Sequence, residues 1–265
     1  MLKNKTYNSW QVPDFNLIFW RKKSSNYCLV IPVINEGDRL KKLLERLKKL
    51  HLDKIVDILI VDGGSQDDST NLAKLKKMNV SGFIIKTGPG KLSSQLRCAY
   101  AFAIKKRYKG IITIDGNNKD NPSSIPSFIK ALDSGYDFVQ ASRFIKSGVH
   151  KNTPILRYIA IKLIHAPILS FFSGFHWTDT TQGFRGYSVR FLEDWRVNIF
   201  RDIFIEYELL AYLSYRAPKL NFKCIELPTM RIYPDNEVPT KISFLRGNFK
   251  MLMTLFSVCL GRYNP

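Results

Sequence analysis

Short runs of apolar and β-branched residues, each closed by a polar or charged side chain, recur through the first half of the chain at residues 27–31, 58–61, 111–114 and 138–142. Unalternated runs of this length predict strands buried on both faces, as in a parallel sheet covered by helices. Helical patterns stand between them. Glu36 precedes an amphipathic helix that runs to about Leu50. A second helix is expected to begin near Thr70, capped by Ser65, Asp67 or Asp68. Strand, acid, helix, three times over, is the rhythm of an α/β nucleotide-binding fold with a central, mostly parallel sheet.

In open α/β sheets ligands bind beyond the carboxyl ends of the strands, and there the residues carry chemistry. Residues 111–122 read IITIDGNNKDNP, so Asp115 leaves a strand and enters a turn crowded with oxygen donors. Asp115 with Asn117 or Asp120 would hold a hard divalent cation, Mg²⁺ or Mn²⁺, and through it a diphosphate. An Asp-Gly turn capping the next helix is the plainer alternative. Upstream, Asp62 closes ILIVD and is followed by Gly63 and Gly64, which would let backbone approach a ligand.

Taken in order, CLVIPVINEGDRLKKLL (28–44), ILIVDGGSQDDST (58–70), TIDGNNKDNP (113–122) and DTTQGFRGYS (179–188) resemble the family 2 glycosyltransferases, and within them the polyprenyl-phosphate (dolichyl-phosphate mannose-type) synthases. The resemblance spans roughly residues 27–250. It implies a glycosyltransferase-A fold, a Rossmann-like α/β domain binding a nucleotide sugar of UDP or GDP type and a divalent metal. By position, Pro32, Asn35, Glu36 and Asp62 would line the base and ribose, with Gly64 beside them. Lys91, in the segment GPGKLSSQLR (88–97), would help bind the diphosphate, with backbone donors of the following helix N-terminus. Asp115 takes the metal-binding place. Two positions depart from the family pattern: Asn117 stands where a second Asp is usual, and Gly63 replaces the second acid of an Asp-Asp pair. An amide brings no charge, so metal binding would be weaker, helped by Asp120, or replaced by Lys119 and arginines.

Arg143, at the end of the 138–142 run, matches a phosphate-recognising arginine, a role that suits a planar, permanently charged fork. Arg157, Arg231 and Lys241 match basic residues that embrace the acceptor phosphate or the leaving diphosphate. Asp179 would orient a basic residue or the sugar, and Gly183 would admit the donor to close backbone approach. Glu206 and Glu208, two apart on an expected helix, point to different faces. A lipid phosphate acceptor is already an anion and needs no strong base. A sugar hydroxyl acceptor would require one, with Asp179 or Glu206 the residue to test. An inactive nucleotide-binding relative is the third reading.

Charge bears on the partner. Lys and Arg number 41 against 22 Asp and Glu, and no acid occurs between Lys151 and Thr178 or after Glu237. The apolar stretch 155–172 is broken by Arg157, Lys162, His165 and Pro167, which argues against a span of about 20 apolar residues and for an interfacial helix on an anionic membrane surface. Residues 243–260 repeat the pattern. A peripheral enzyme on the cytoplasmic face of a membrane follows, without span or signal peptide. Nucleic acid is excluded as a partner: no recognition motif is present, and acid-bearing strand ends repel phosphate. Residues 1–26 read as an extension that packs on the domain or touches the membrane, 27–240 as the transferase domain and 241–265 as a membrane-associated helix. Four scattered cysteines fit reduced thiols, and the four histidines lack ligand spacing.

Overall fold

The computed structural model describes residues 9–234 and 244–265. Its centre is a sheet of β1 (Phe15–Trp20), β2 (Tyr27–Val33), β3 (Asp57–Asp62), β4 (Gly82–Lys86), β5 (Gly110–Thr113), β6 (Phe138–Ser142), β8 (Arg185–Ser188) and β9 (Cys224–Pro228), in the order β1-β4-β3-β2-β5-β8-β6-β9. β1 and β8 run antiparallel to their neighbours and the other pairings are parallel. β7 (Val149–Lys151) and β10 (Met230–Ile232) form a separate two-stranded parallel sheet.

Period-two side chains explain why the runs had to be apolar throughout. Cys28, Val30, Leu59 and Val61 join the core on one face, while Leu29, Ile31, Ile58 and Ile60 join the core on the other. α1 (Asp38–Lys49) and α4 (Ile125–Asp133) cover the second face. In α1, Leu40, Leu43, Leu44 and Leu47 repeat at helical spacing and are buried. Each buried leucine contributes about 1.5–3 kcal/mol relative to exposure. The first face is covered by α3 (Leu92–Lys105), α6 (Ala166–Ser173), α8 (Glu208–Lys219) and α9 (Phe244–Cys259), with α7 (Val189–Leu192) a single turn after β8.

Several expectations are refined or corrected. Phe15–Trp20, read within an extension that packs on the domain or touches the membrane, does so as a strand: it pairs with β4 at one edge of the main sheet. Just before it, Trp10 stacks on Phe200 with centroids 3.8 Å apart. The helix after Asp62, α2 (Leu72–Lys77), starts later than expected and is capped by Asn71, whose side chain accepts from Lys74 N; Asp67 instead caps a 3-10 turn at Asp68–Thr70. Glu206 lies ahead of α8, which begins at Glu208.

The stretch Ile155–Ser173 is helical throughout, as α5 (Ile155–Ile159), a π-helical turn (Ala160–His165) and α6. Pro167, lacking an N–H and crowding the carbonyl one turn back, accounts for the widened turn. By length and composition this helix is apolar enough to cross a membrane, contrary to the expectation from its charged breaks, and only 17% of its span is buried.

Candidate active site

Parallel strands bring Val33, Asp62 and Thr113 to one edge of the sheet, and the loops that follow them face a cavity of about 640 Å³. β8 enters this edge from the opposite direction, Arg185 opposite Thr113, so Gly183 arrives beside Asp115. Pro32, Glu36, Lys91, Asp115, Asn117, Arg157 and Arg231 all line the cavity. Asn35, Asp62, Gly64, Asp120, Arg143 and Asp179 do not, and each has a different task. Lys241 lies outside the described residues.

At the end nearest β2 and β3, Asp62 is buried and accepts from Ser65 N at 3.1 Å and Ser65 Oγ at 2.6 Å, which shapes the glycine turn. Asn35 joins the two loops: its N–H donates to Ser65 Oγ and its Oδ1 accepts from Gln66 N. Gly64 has φ +99°, so the turn's handedness, and not ligand approach, requires glycine. Gly63 has a structural reason for its departure from the usual acid. A Cβ there would lie 2.9 Å from the amide nitrogen of Gln95, which donates to Val33 O and Val61 O and ties β2 to β3.

Lys91 sits at the start of α3 and pairs with Glu206 at 3.1 Å; Glu206 also holds Lys250 at 2.6 Å. Backbone donors expected there for a phosphate are already engaged, Lys91 N on Ile205 O and Ser93 N on Glu206 O. Lys86, unremarked in the sequence, reaches the same wall.

In the middle, Asp115 meets Arg231 at 3.4 Å and the Asn117 amide at 3.5 Å. Glycine at 183 is obligatory in this geometry, because a Cβ would overlap Asp115 Oδ1; it makes room for a carboxylate and not, as expected, for a donor. Asp120 is not a compensating ligand. Its carboxylate is fully buried and takes a 2.5 Å bond from Arg231, held by an antiparallel bridge between the two residues. Burial lowers the affinity of Lys119 for its proton, to a pKa of about 8, with Arg231 adding to the effect. No group of three or more His, Cys, Asp or Glu capable of holding a metal exists among the described residues. The donor set therefore fits a hard cation only as one carboxylate and one amide completed by oxygens of the ligand, the manner in which Mg²⁺ joins substrate phosphates.

Arg143 was expected as a phosphate binder, and Asp179 to orient a basic residue or the sugar, or to act as base on a hydroxyl acceptor; Asp179 does orient a basic residue, Arg143. The two form a buried bidentate pair, Nε to Oδ2 at 2.6 Å and Nη2 to Oδ1 at 3.2 Å, both almost wholly unexposed. Gln182 Nε2 also donates to Asp179, at 2.7 Å. A carboxylate so occupied has no lone pair directed at a substrate. Glu206, the other candidate base, is held below the usual carboxylate range by Lys250 and Lys91. Sequence reading missed Tyr233, around which Arg157 and Arg143 gather; a lone tyrosine after a short apolar strand gives no signal. It also missed the buried Arg185, which donates to the Thr180, Gln182 and Leu210 carbonyls and fixes the loop between Asp179 and β8.

A mostly parallel α/β sheet that delivers a carboxylate and several cations to a cavity beyond its strand ends is the arrangement of a nucleotide-binding enzyme. Residues 28–196 match Glycosyl transferase family 2, and the chain belongs to that family: it is a family 2 glycosyltransferase with the glycosyltransferase-A fold. It is 27% identical to the uncharacterized protein MJ1222 of Methanocaldococcus jannaschii across 86% of this chain and 89% of that one. It is 30% identical to the undecaprenyl-phosphate 4-deoxy-4-formamido-L-arabinose transferase of Klebsiella pneumoniae over 52% of this chain and 41% of that protein. Among solved structures, glucosyl-3-phosphoglycerate synthase from Mycobacterium tuberculosis, in complex with Mn²⁺, UDP and glucosyl-3-phosphoglycerate, shares the fold with TM-score 0.57 and 17% identity, over 88% of this chain and 79% of that one.

Proposed function

We propose that this glycosyltransferase moves a sugar from a UDP- or GDP-sugar to a polyprenyl phosphate at a membrane surface, with inversion at the anomeric carbon. The observation that carries the proposal is the junction of two surfaces. Arg157 and His165 line the cavity from a helix whose outer side exposes Leu163 and Phe171 at 72% and 82%, and Met251 lines it from α9, which exposes Phe249 and Met253. A phosphate head on an apolar chain suits both at once. Since Arg157 and His165 face the cavity while the apolar side chains face outward, the helix has the one-sided burial of an in-plane element rather than a span.

The state of the carboxylates supports an acceptor that is already an anion. Asp179 is committed to Arg143, and Glu206 to Lys91 and Lys250, so neither of the two candidate bases is available. A phosphate monoester is ionised near neutral pH and attacks without one. Pro32 and Glu36 would take the nucleoside end, Lys86 and Lys91 the diphosphate, and Lys119, Arg157 and Arg231 the acceptor phosphate. Mg²⁺ or Mn²⁺ on Asp115 and Asn117 would neutralise charge on the departing nucleoside diphosphate, as suggested by the fold relative crystallised with Mn²⁺ and UDP. Rate would come from in-line positioning and charge stabilisation. The partial match to undecaprenyl-phosphate transferases favours the same acceptor class.

Incubating the protein with labelled UDP- and GDP-sugars, polyprenyl phosphate and either metal, with Asp115→Ala as control, tests the proposal. Label entering the lipid phase, and lost in the variant, is the expected result. No transfer from any donor despite intact nucleotide binding would refute it and leave a hydroxyl acceptor or an inactive relative. Flotation with anionic vesicles, against Leu163→Asp/Phe171→Asp, tests the membrane surface separately.

A further inference from the structure

Tyr233 follows β10, is 1% exposed, and is the point on which the cations at the acceptor end converge. Its phenolic oxygen accepts from Arg157 Nη1 at 3.1 Å and Arg143 Nη1 at 3.5 Å. Lys119 Nζ lies 4.9 Å from its ring centroid, and the guanidinium carbons of Arg157 and Arg231 each lie 5.7 Å away. These four cations outnumber the acids of the cluster, Asp115, Asp120 and Asp179, by one. Burial alone would strengthen the phenol's hold on its proton, but Arg231, Arg157 and Arg143 outweigh it and bring the pKa down to about 7.

The arginines around Tyr233 are held differently. Arg143 is clamped by Asp179 and Arg231 by Asp120, both pairs deep in the protein. Arg157 comes from α5, none of whose residues is buried, and reaches the cavity wall across the tyrosine. Tyr233 itself is anchored by its backbone, its N–H on Lys151 O at 3.1 Å and its carbonyl on Asn152 Nδ2 at 3.2 Å. A rigid acceptor atom thus meets a long side chain from a surface helix.

We propose that Tyr233 is a positioning residue of the acceptor site, its phenolic oxygen holding the Arg157 guanidinium at the cavity wall so that an acceptor phosphate meets it already oriented. This rests on the phosphate-acceptor reading above. Removing the hydroxyl takes this anchor from Arg157, so more of its ordering falls to the ligand, which weakens binding more than turnover.

Tyr233→Phe keeps the ring and removes only the oxygen. The KM for polyprenyl phosphate is expected to rise about ten-fold, the size of one charge-assisted hydrogen bond, with a smaller change in kcat and in donor KM. Combined with Arg157→Ala, it should add nothing to Arg157→Ala alone. An unchanged acceptor KM, or fully additive effects, would overturn the proposal while leaving the acceptor class intact. If the wild type transfers nothing to polyprenyl phosphate, the acceptor reading fails, and the tyrosinate absorbance decides the role of Tyr233. One tyrosine, absent in Tyr233→Phe, should then titrate near neutrality, and inorganic phosphate should raise its midpoint in the wild type but not in Arg157→Ala. Failure to see that tyrosine, or its indifference to phosphate, overturns the assignment.

Discussion

Gly183→Ala adds a single methyl group and is expected to disable the site at a stability cost of only about 1 kcal/mol. An ideal Cβ there overlaps Asp115 Oδ1 and lies 2.9 Å from Cγ and 3.2 Å from Oδ2. Ordinary contacts need about 3.5–4.0 Å, so the carboxylate must move by roughly 1 Å or more. Nothing compels the backbone to unfold, since Gly183 is not in the left-handed region and Asp115 is partly exposed, at 23% of its side chain. Swinging away costs Asp115 its 3.4 Å contact with Arg231 and moves it from Asn117, a price in stability of about 1 kcal/mol. In a positioned reaction, however, a displacement of that size costs about 10²-fold in rate. Gly135→Ala is the contrast: φ is +87° with open space around the Cβ, so about 1 kcal/mol of stability should be lost and no activity. The assay is sugar transfer as a function of Mn²⁺ concentration, paired with urea unfolding. Activity of Gly183→Ala within about three-fold of wild type, at similar stability, would refute the placement of Asp115 at the reacting centre.

Asn117→Asp restores a charge beside Asp115 and should lower the Mn²⁺ concentration for half-maximal turnover by about ten-fold; an unchanged value would mean that Asn117 does not ligate. Asp179→Ala strands the buried Arg143 charge and should cost about 3–5 kcal/mol in urea unfolding, whereas Arg143→Met/Asp179→Leu should recover most of it, an outcome foreign to a catalytic base. Tyr233 has a folded pKa near 7, depressed from 10.0, so its folded form releases a proton that the unfolded form keeps. Its contribution to stability is fully present above about pH 10 and is lost as pH falls through about 7. The difference in unfolding free energy between wild type and Tyr233→Phe should therefore grow from pH 7 to 10, and a flat difference would contradict the assigned shift.

The strands were legible because their residues had to serve two cores at once, and α1 because its leucines repeat at helical spacing. Asp115 was legible because a carboxylate closing an apolar run projects beyond the sheet. Less visible was what each polar residue would touch. Arg143 and Asp179 matched binding positions by order along the chain, yet 36 positions apart they close on one another. Asp120 and Arg231, 111 apart, do the same. Asp179 and Asp120 look like available carboxylates in one dimension and are paired with arginines in three.

By itself, then, the order of residues determined the α/β framework, the strand ends where ligands gather, and the family. These rest on local periodicity and on turns that act within a few residues. Tertiary structure alone decided which charges remain available. Burying an ion is tolerable only beside its counter-ion, so the pairing of cations with acids depends on which distant segments the sheet brings together. The antiparallel entry of β8 sets Gly183 against Asp115, and the β7–β10 sheet carries Arg231 to Asp120 and Tyr233 to Arg157. No local pattern encodes those meetings, and they separate the groups that build the site from those that face its substrate.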